Sequence, residues 1–554
     1  MSHLVHGDNV VKLDSFRCIL QPQLMAGGGV QKRFVREKYQ GWPTLSVAAD
    51  GLLGYTQTTA LTNVFFVDQR IWMASGFVED DWKVTPKLTL NAGLRYDFAT
   101  PALEARNRMA EFDPTAGALV FAKSGSTGDR SIVNPSTKNF GPRFGFAYSP
   151  DTKTVVRGGY GIYYTLFERI GSEDELALNP PFLINKQLVS NTAPVLKPST
   201  GFASNFLDPS TVNFNNLTAF HIRSVPVNDP EPYVQQWSLG VQRQIGLPWV
   251  AEIDYVGTKS THLDVIRNYN QPIISGGVST GVVPYPTFGQ IEWTSPIGAG
   301  NYEGLQASLT RHITSGLEVR AAFTHSRSLD NTPEELESSS GDAPDGRNYG
   351  AWYGPSDFDI PNRVAFSYDY HLPFGRGQAM LNHGPLSWIL GNWTTSGLYT
   401  YYSGHPFQLN ENDGNHNSIL DPYGYTTATP NRVGTPHTIG DPDCWFFASK
   451  DSACAAKAPS GLTDAFATTA VGAVGNVGRN TLRGPHIDVW DAALLKDFPI
   501  TEGWNAEARW EVFNLTNTPE FGQPQGNITS GGVGSITSLA GDPRVMQFAL
   551  RISF

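Results

Sequence analysis

The sequence predicts an all-β fold: an antiparallel transmembrane β-barrel of the outer-membrane kind, partial, with about 13 to 14 recognisable strands. Three observations carry this. Apolar and polar residues alternate through about a dozen segments with the period of 2 that a pleated strand imposes. The segments come in pairs joined by tight turns, and the pairs are separated by long connections rich in Gly, Pro and Asn. No window holds the roughly 18 consecutive apolar residues of a transmembrane helix, whereas a barrel strand needs only about 9 to 11 and shows alternation instead of a run.

Composition agrees with strands and turns. Of 554 residues only 16% are charged while 12% are aromatic, and Gly numbers 56, a mix poor in helix formers. The balance of 40 Lys+Arg against 51 Asp+Glu gives a net charge of −11, so there is no basic footprint and no nucleic-acid partner is expected. Three cysteines are too few for a disulfide scaffold. Cys444 and Cys454 are close enough in sequence to close a small loop outside the cytosol, either bridged or as free thiols, and Cys18 stands alone.

Residues 1–70 form a poorly defined N-terminal segment. It contains Gly27-Gly28-Gly29, a basic stretch from Lys32 to Lys38 and one candidate barrel strand at 52–67. From residue 71 onward the pattern is regular. The first pair spans 77–98 across Thr85-Pro86-Lys87, with Leu88, Leu90, Ala92, Leu94, Tyr96 and Phe98 on one face and Arg95 and Asp97 on the other. The second joins 142–148 to 154–164 across Ser149-Pro-Asp-Thr-Lys153. The third joins 233–244 to 249–257 across Gly246-Leu-Pro248, the fourth 302–312 to 317–328 across Thr314-Ser-Gly316. The fifth pairs 363–372 with 393–402 through a longer connection, and the sixth 487–498 with 505–514 across Pro499-Ile-Thr-Glu-Gly503. A last strand covers 544–554.

Short turns thus occur at every second junction, with the fifth pair the one awkward case, and the intervening connections such as 165–232 and 403–486 are very long. Outer-membrane barrels show this asymmetry between periplasmic turns and external loops; soluble sandwiches distribute loops less one-sidedly. Alternation then puts one set of charges on the lumen side: Arg95, Arg157, Glu252, Asp254, Glu318 and Arg320, followed by Arg363, Asp369, Glu507, Arg509, Glu511 and Arg551. Pairing across neighbouring strands that keeps the lumen wet is the simpler role for them, ahead of lining a substrate path. Aromatics near strand ends, including Trp72, Trp82, Tyr164, Trp249, Tyr370, Trp393, Tyr401 and Trp510, fit interfacial girdles.

No catalytic, cofactor or metal site is expected. The chain has no His-Glu-x-x-His, Gly-x-Ser-x-Gly, P-loop or dinucleotide fingerprint. Asp80 and Asp81 are adjacent on a strand and so point to opposite faces. The run Asn410-Glu-Asn-Asp-Gly-Asn-His-Asn417 is calcium-loop-like in composition, but Leu409 stands where an EF-hand needs its first Asp. Loop aromatics such as Trp352, Tyr353, Trp445 and Phe446 are candidates to stack on a ligand, with loop packing the commoner role.

The segment 77–98, the strand Asn139-Phe-Gly-Pro-Arg-Phe-Gly-Phe-Ala-Tyr148, the stretches Asn392-Trp393 to Ser403-Gly404-His-Pro-Phe407, and Arg509-Trp-Glu-Val-Phe-Asn-Leu-Thr-Asn517 resemble the C-terminal barrel of TonB-dependent receptors, nearest to the Oar-like subgroup. The terminal Gln547-Phe-Ala-Leu-Arg-Ile-Ser-Phe554, with Phe548, Leu550, Ile552 and Phe554 in alternation, is similar to the signal read by the barrel-assembly machinery. The resemblance implies uptake of a nutrient across the outer membrane, with lipid as the surrounding partner. It also implies a plug, a TonB box, a signal peptide and a barrel of about 22 strands. None of these upstream features is recognisable, and the start Met1-Ser-His-Leu-Val-His-Gly-Asp lacks a secretory signal. The chain is therefore expected to be an N-terminally truncated portion or a mis-assigned start, engaging a TonB system only through upstream segments. The alternative is a structural or adhesive surface barrel without transport; a soluble β-rich carbohydrate enzyme is disfavoured by the one-sided loops.

Overall fold

The computed structural model describes residues 58–553 apart from 64, 167–172, 190–204, 315, 333–342, 376–377, 412–418, 424–425 and 502–503, together with 9–10 and 21–25. Cys18, the glycine run, the basic stretch to Lys38, Phe554 and most of the calcium-loop-like run lie outside the described residues.

Among the described residues thirteen long strands form one antiparallel meander. They are β1 (Gln69–Thr85), β2 (Leu88–Ala99), β3 (Phe140–Asp151), β4 (Thr154–Tyr164), β5 (Tyr233–Gln244), β6 (Trp249–Asn268) and β7 (Phe288–Thr314). There follow β8 (Leu317–Asp330), β9 (Asn362–His371), β10 (Trp393–Tyr402), β11 (Ile487–Thr501), β12 (Trp504–Phe513) and β13 (Val545–Ser553). Each pairs with its neighbour in sequence. Among the described residues no ladder joins β13 to β1, and the outer edge of β1 carries only Gln21–Met25 and Asn9–Val10. Thr58–Thr62, inside the candidate strand at 52–67, pairs with Asn185–Val189 among the connections and not with a long strand.

Register turns the alternation of each strand into one continuous apolar face. Phe144 stands opposite Tyr160, and Tyr160 opposite Trp237. Leu239 faces Tyr255, which faces Leu305. The series continues through Phe323 to Val364, Phe366 to Tyr399 and Tyr399 to Trp490, and it ends with Leu494, Trp510 and Phe548. Most of these large side chains are half-buried or exposed because nothing among the described residues covers them. On the same face three glycines sit directly opposite aromatic rings: Gly158 under Phe146, Gly257 under Trp237 and Gly397 under Tyr368. A Cβ at Gly158 would come 2.6 Å from the Phe146 ring, so the ring lies over bare backbone.

The connections obey the asymmetry. The junctions from β1 to β2, β3 to β4, β5 to β6, β7 to β8 and β11 to β12 are short, whereas 372–392 is longer and holds the helix Pro385–Leu390. On the opposite side the long connections have structure of their own. A hairpin (Ala110–Asp113 with Ala118–Phe121) and the strand Leu217–Ser224, parallel to the start of β7, enclose a core of Phe112, Ile184, Leu217, Phe220, Ile222, Phe288, Ile291 and Trp293. A second core of Phe407, Leu409, Phe446, Phe466, Val477, Leu482 and Val533 lies under 403–486 and 514–544. The packed hydrophobic cores therefore sit in the loops, and the long sheet is a wall one residue thick.

Candidate functional site

The face opposite the apolar belt carries the polar side chains. Arg95 donates from Nε to both carboxylate oxygens of buried Asp97 at 2.9 Å. Arg157 on β4 forms an ion pair with Glu252 on β6, reaching over β5, and Asp254 follows on the same face two residues along. Arg320 binds Glu318 at 2.7 Å along β8, and Asp369 on β9 stands opposite Glu318 in register. Arg363 lies between Thr324 and Tyr402. On β12, Arg509 pairs with Glu507 and lies 3.9 Å from Glu511, and Arg551 of β13 stands opposite Glu507. These charges share one face and lie along or across neighbouring strands, the arrangement that keeps charges satisfied on a wet surface.

Within this face β1 to β6 frame a shallow depression of about 470 Å³. Its floor is bare backbone at Gly93, Gly145, Gly159 and Gly161, and its rim carries Glu79, Asn91, Arg143, Tyr163, Gln236 and Ser238. The Arg143 guanidinium lies 4.7 Å from the Tyr163 ring centroid.

At the loop end a buried ionic knot fastens 403–486 to the tops of β8 and β9. Arg479, only 2% exposed in its side chain, pairs with Asp330 and, at 2.6 Å, with Asp357. Asn480 donates to Asp357 at 2.7 Å and to the Pro355 carbonyl at 2.8 Å, and Arg483 pairs with Asp359. Burial pulls the Arg479 guanidinium down to about 10 and pushes the Asp357 carboxyl up. Sequence reasoning missed this knot, because its partners lie more than a hundred positions apart and the run Gly478-Arg-Asn-Thr-Leu-Arg-Gly484 has no strand period.

Cys444 and Cys454 are joined in a disulfide inside a small core with Phe447. Trp352 and Phe446 are buried among loop side chains and so present no stacking face, and Trp445 is tied by its indole N–H to the Arg483 carbonyl at 2.7 Å. Tyr353 remains exposed. Asp81 accepts from Asn91, while Asp80 belongs to the opposite face. Glu411 is buried and accepts from the Thr469 amide at 3.0 Å, and no group of three metal-ligating side chains occurs among the described residues. Phe548, Leu550 and Ile552 project from the apolar face of the edge strand β13, Phe548 stacked on Trp510. Trp510 lies mid-strand on that face, inside the belt and not at its margin.

Residues 28–547 match a family described as an outer membrane beta barrel domain. No curated protein matches the chain. Among solved structures it is similar to the ferripyoverdine receptor of the outer membrane of Pseudomonas aeruginosa, at 11% identity and a TM-score of 0.40, covering 89% of this chain and 40% of that one. It is similar also to BauA, the ferric preacinetobactin receptor from Acinetobacter baumannii, at 11% identity and 0.41, covering 88% and 43%. A third is the ferric citrate transporter FecA, at 10% identity and 0.39, covering 88% and 45%. The chain spans less than half the length of these three proteins. With an apolar belt on one face, a polar ladder on the other and a family match over nearly its whole length, the chain belongs to the outer membrane beta barrel domain family and is a protein of the outer membrane.

Proposed function

We propose that the chain is the C-terminal barrel portion of a TonB-dependent receptor of the Oar-like type, importing a nutrient, with plug, TonB box and signal supplied by segments upstream of it. In this reading the apolar face meets lipid, the charges from Arg95 to Arg551 line the lumen, the short turns are periplasmic and the long connections are external. Phe548, Leu550, Ile552 and Phe554 are read by the barrel-assembly machinery. The TonB system acts only through the upstream plug, and the barrel itself catalyses nothing.

The observation that favours transport is the polar inner face with its glycine-floored depression, a surface that a purely adhesive barrel does not require. The second reading, a structural or adhesive surface barrel, draws on the packed external cores around Phe112 and Phe446, which make a rigid platform outside the membrane. Two measurements separate them. Reading the coding sequence upstream of Met1 in frame for a plug, TonB box and signal is the first; their absence removes the transport reading. The second is nutrient uptake by cells producing the full-length gene product against a deletion strain. Equal uptake in both leaves adhesion.

A further inference from the structure

One turn-side connection breaks the pattern of tight turns, and its composition is the reverse of what a wet loop requires. In 372–392, Met380, Leu381, Leu386, Trp388, Ile389 and Leu390 are all exposed, and the last four belong to the helix Pro385–Leu390. Six large apolar side chains open to water on one connection exceed what a soluble surface scatters singly.

Its position is fixed by β11. Lys496 shares the apolar face with Leu494 and Phe498, since it stands opposite Trp393 on one side and Ala508 on the other. A lone cation facing lipid is costly. Here it is buried, and its Nζ donates to the carbonyls of Trp388, Ile389 and Gly391 at 3.1, 3.0 and 2.7 Å, capping the C-terminal end of the helix. The rings of Trp393 and Phe498 lie 4.9 and 5.0 Å from the same ammonium. Trp393 donates its indole N–H to the Ile389 carbonyl at 3.1 Å, and Trp388 packs edge-on against Phe498 at 5.9 Å. The helix is thus fastened to the outer wall, in line with the exposed Ile500 and Trp504 at the margin of the belt.

We infer that this helix is a membrane-interface anchor whose Leu386, Trp388, Ile389 and Leu390 enter the lipid leaflet at the turn end of the barrel. Continuity with the lipid-facing belt selects a phospholipid monolayer as the occupant. Helices of this kind lie in the plane of the interface with the apolar face about 5 to 10 Å into the headgroup and acyl boundary. Lys496 supplies the polar fastening that a six-residue helix cannot provide alone, while its charge stays satisfied by carbonyls and aromatic faces.

The test uses the full chain refolded into phosphatidylethanolamine and phosphatidylglycerol vesicles whose acyl chains are brominated near the headgroup in one preparation and near mid-chain in a second. Bromine quenches only tryptophans in lipid. Trp388→Phe is compared with Trp510→Phe, in the belt, and Trp352→Phe, buried in the external loops. The expected result is that Trp388→Phe and Trp510→Phe each lower the bromine-quenched emission by about one part in the 13 tryptophans, while Trp352→Phe leaves it unchanged. If Trp388→Phe leaves the bromine-quenched emission intact while Trp510→Phe lowers it, the inference is overturned and the belt stands. Loss of an iodide-quenched component would then put the helix in water, and loss of neither would mean that it faces protein. Should Trp388→Phe fail to fold, Ile389→Trp adds an emitter at the neighbouring position, read by the same two quenchers.

Discussion

Glu111 is a buried carboxylate with no hydrogen bond of good geometry to either oxygen. It lies in the external hairpin, outside the wall, and burial pushes its carboxyl up to about 8, with Asp113 adding repulsion and the Val225 amide relieving only part of the cost. The unfolded chain loses this proton near 4.5 and the folded one near 8. Between those values the folded state holds the extra proton, so stability of the hairpin falls as pH rises through the window and is level above it. The shift is worth on the order of 5 kcal/mol at most. Glu111→Gln is expected to flatten that slope and to protect 110–121 from protease at pH 8 to a degree that wild type reaches only near pH 5. Equal pH slopes in the two proteins would refute it. Gly257 makes a second residue-scale case, since its missing Cβ is the floor on which Trp237 lies. Gly257→Val forces the indole off that floor at a cost of about 1 to 3 kcal/mol, read as an earlier midpoint in urea unfolding from vesicles. A midpoint equal to wild type would mean that the ring does not need the bare backbone.

At the scale of elements, sequence and structure agree where a strand belongs to the apolar belt and part company where it leaves it. The alternation at 233–244 predicts β5 to the residue. The same reasoning ends the next strand at 257, whereas β6 runs on to Asn268. Beyond Gly257 the strand rises into the external loops, where Val265 and Ile266 are adjacent and both buried, so the polarity alternation disappears although the pleat continues. β7 likewise starts at Phe288 and not at 302, because Ile291 and Trp293 pack into the loop core and the residues among them are covered as well. The two-residue turn 152–153 is tighter than the Pro-containing five residues predicted for it, as both strands extend into that stretch. The ionic knot is the element-scale feature with no local signature, and it holds the longest connection. Arg479→Ala leaves Asp330 buried without its cation, a loss of about 3 to 5 kcal/mol. The expected readout is new protease cleavage within 403–486 while the barrel stays resistant. Cleavage as slow as in wild type would show that the disulfide and the Phe446 core suffice without the knot.

For the whole molecule, one thin sheet carries an apolar face and a polar face, and every assignment of charge and aromatic residue depends on which of them meets lipid and which meets water. Register fixes the faces relative to one another across all thirteen strands, so a single pair of neighbouring residues tests the entire assignment. Ser238 and Leu239 are consecutive on β5 near the middle of the wall. Leu239 belongs to the belt beside Tyr255, and Ser238 stands on the polar face beside the Gly159 floor of the depression. An arginine on the lipid face at mid-depth costs about 2 to 4 kcal/mol, whereas one facing a watery lumen costs little. Leu239→Arg is therefore expected to lower the stability of the folded form in vesicles by that amount, and Ser238→Arg to change it by less than about 1 kcal/mol. Both proteins would be titrated with urea and followed by the heat-modifiable shift of the folded form on gels. If the two substitutions cost the same, the sheet is wetted on both faces; if the order is reversed, the polar ladder from Arg95 to Arg551 faces outward. The expected order requires the belt from Phe144 to Phe548 to be one lipid-facing surface, because β5 is tied by ladders to both ends of the meander and cannot be turned over alone.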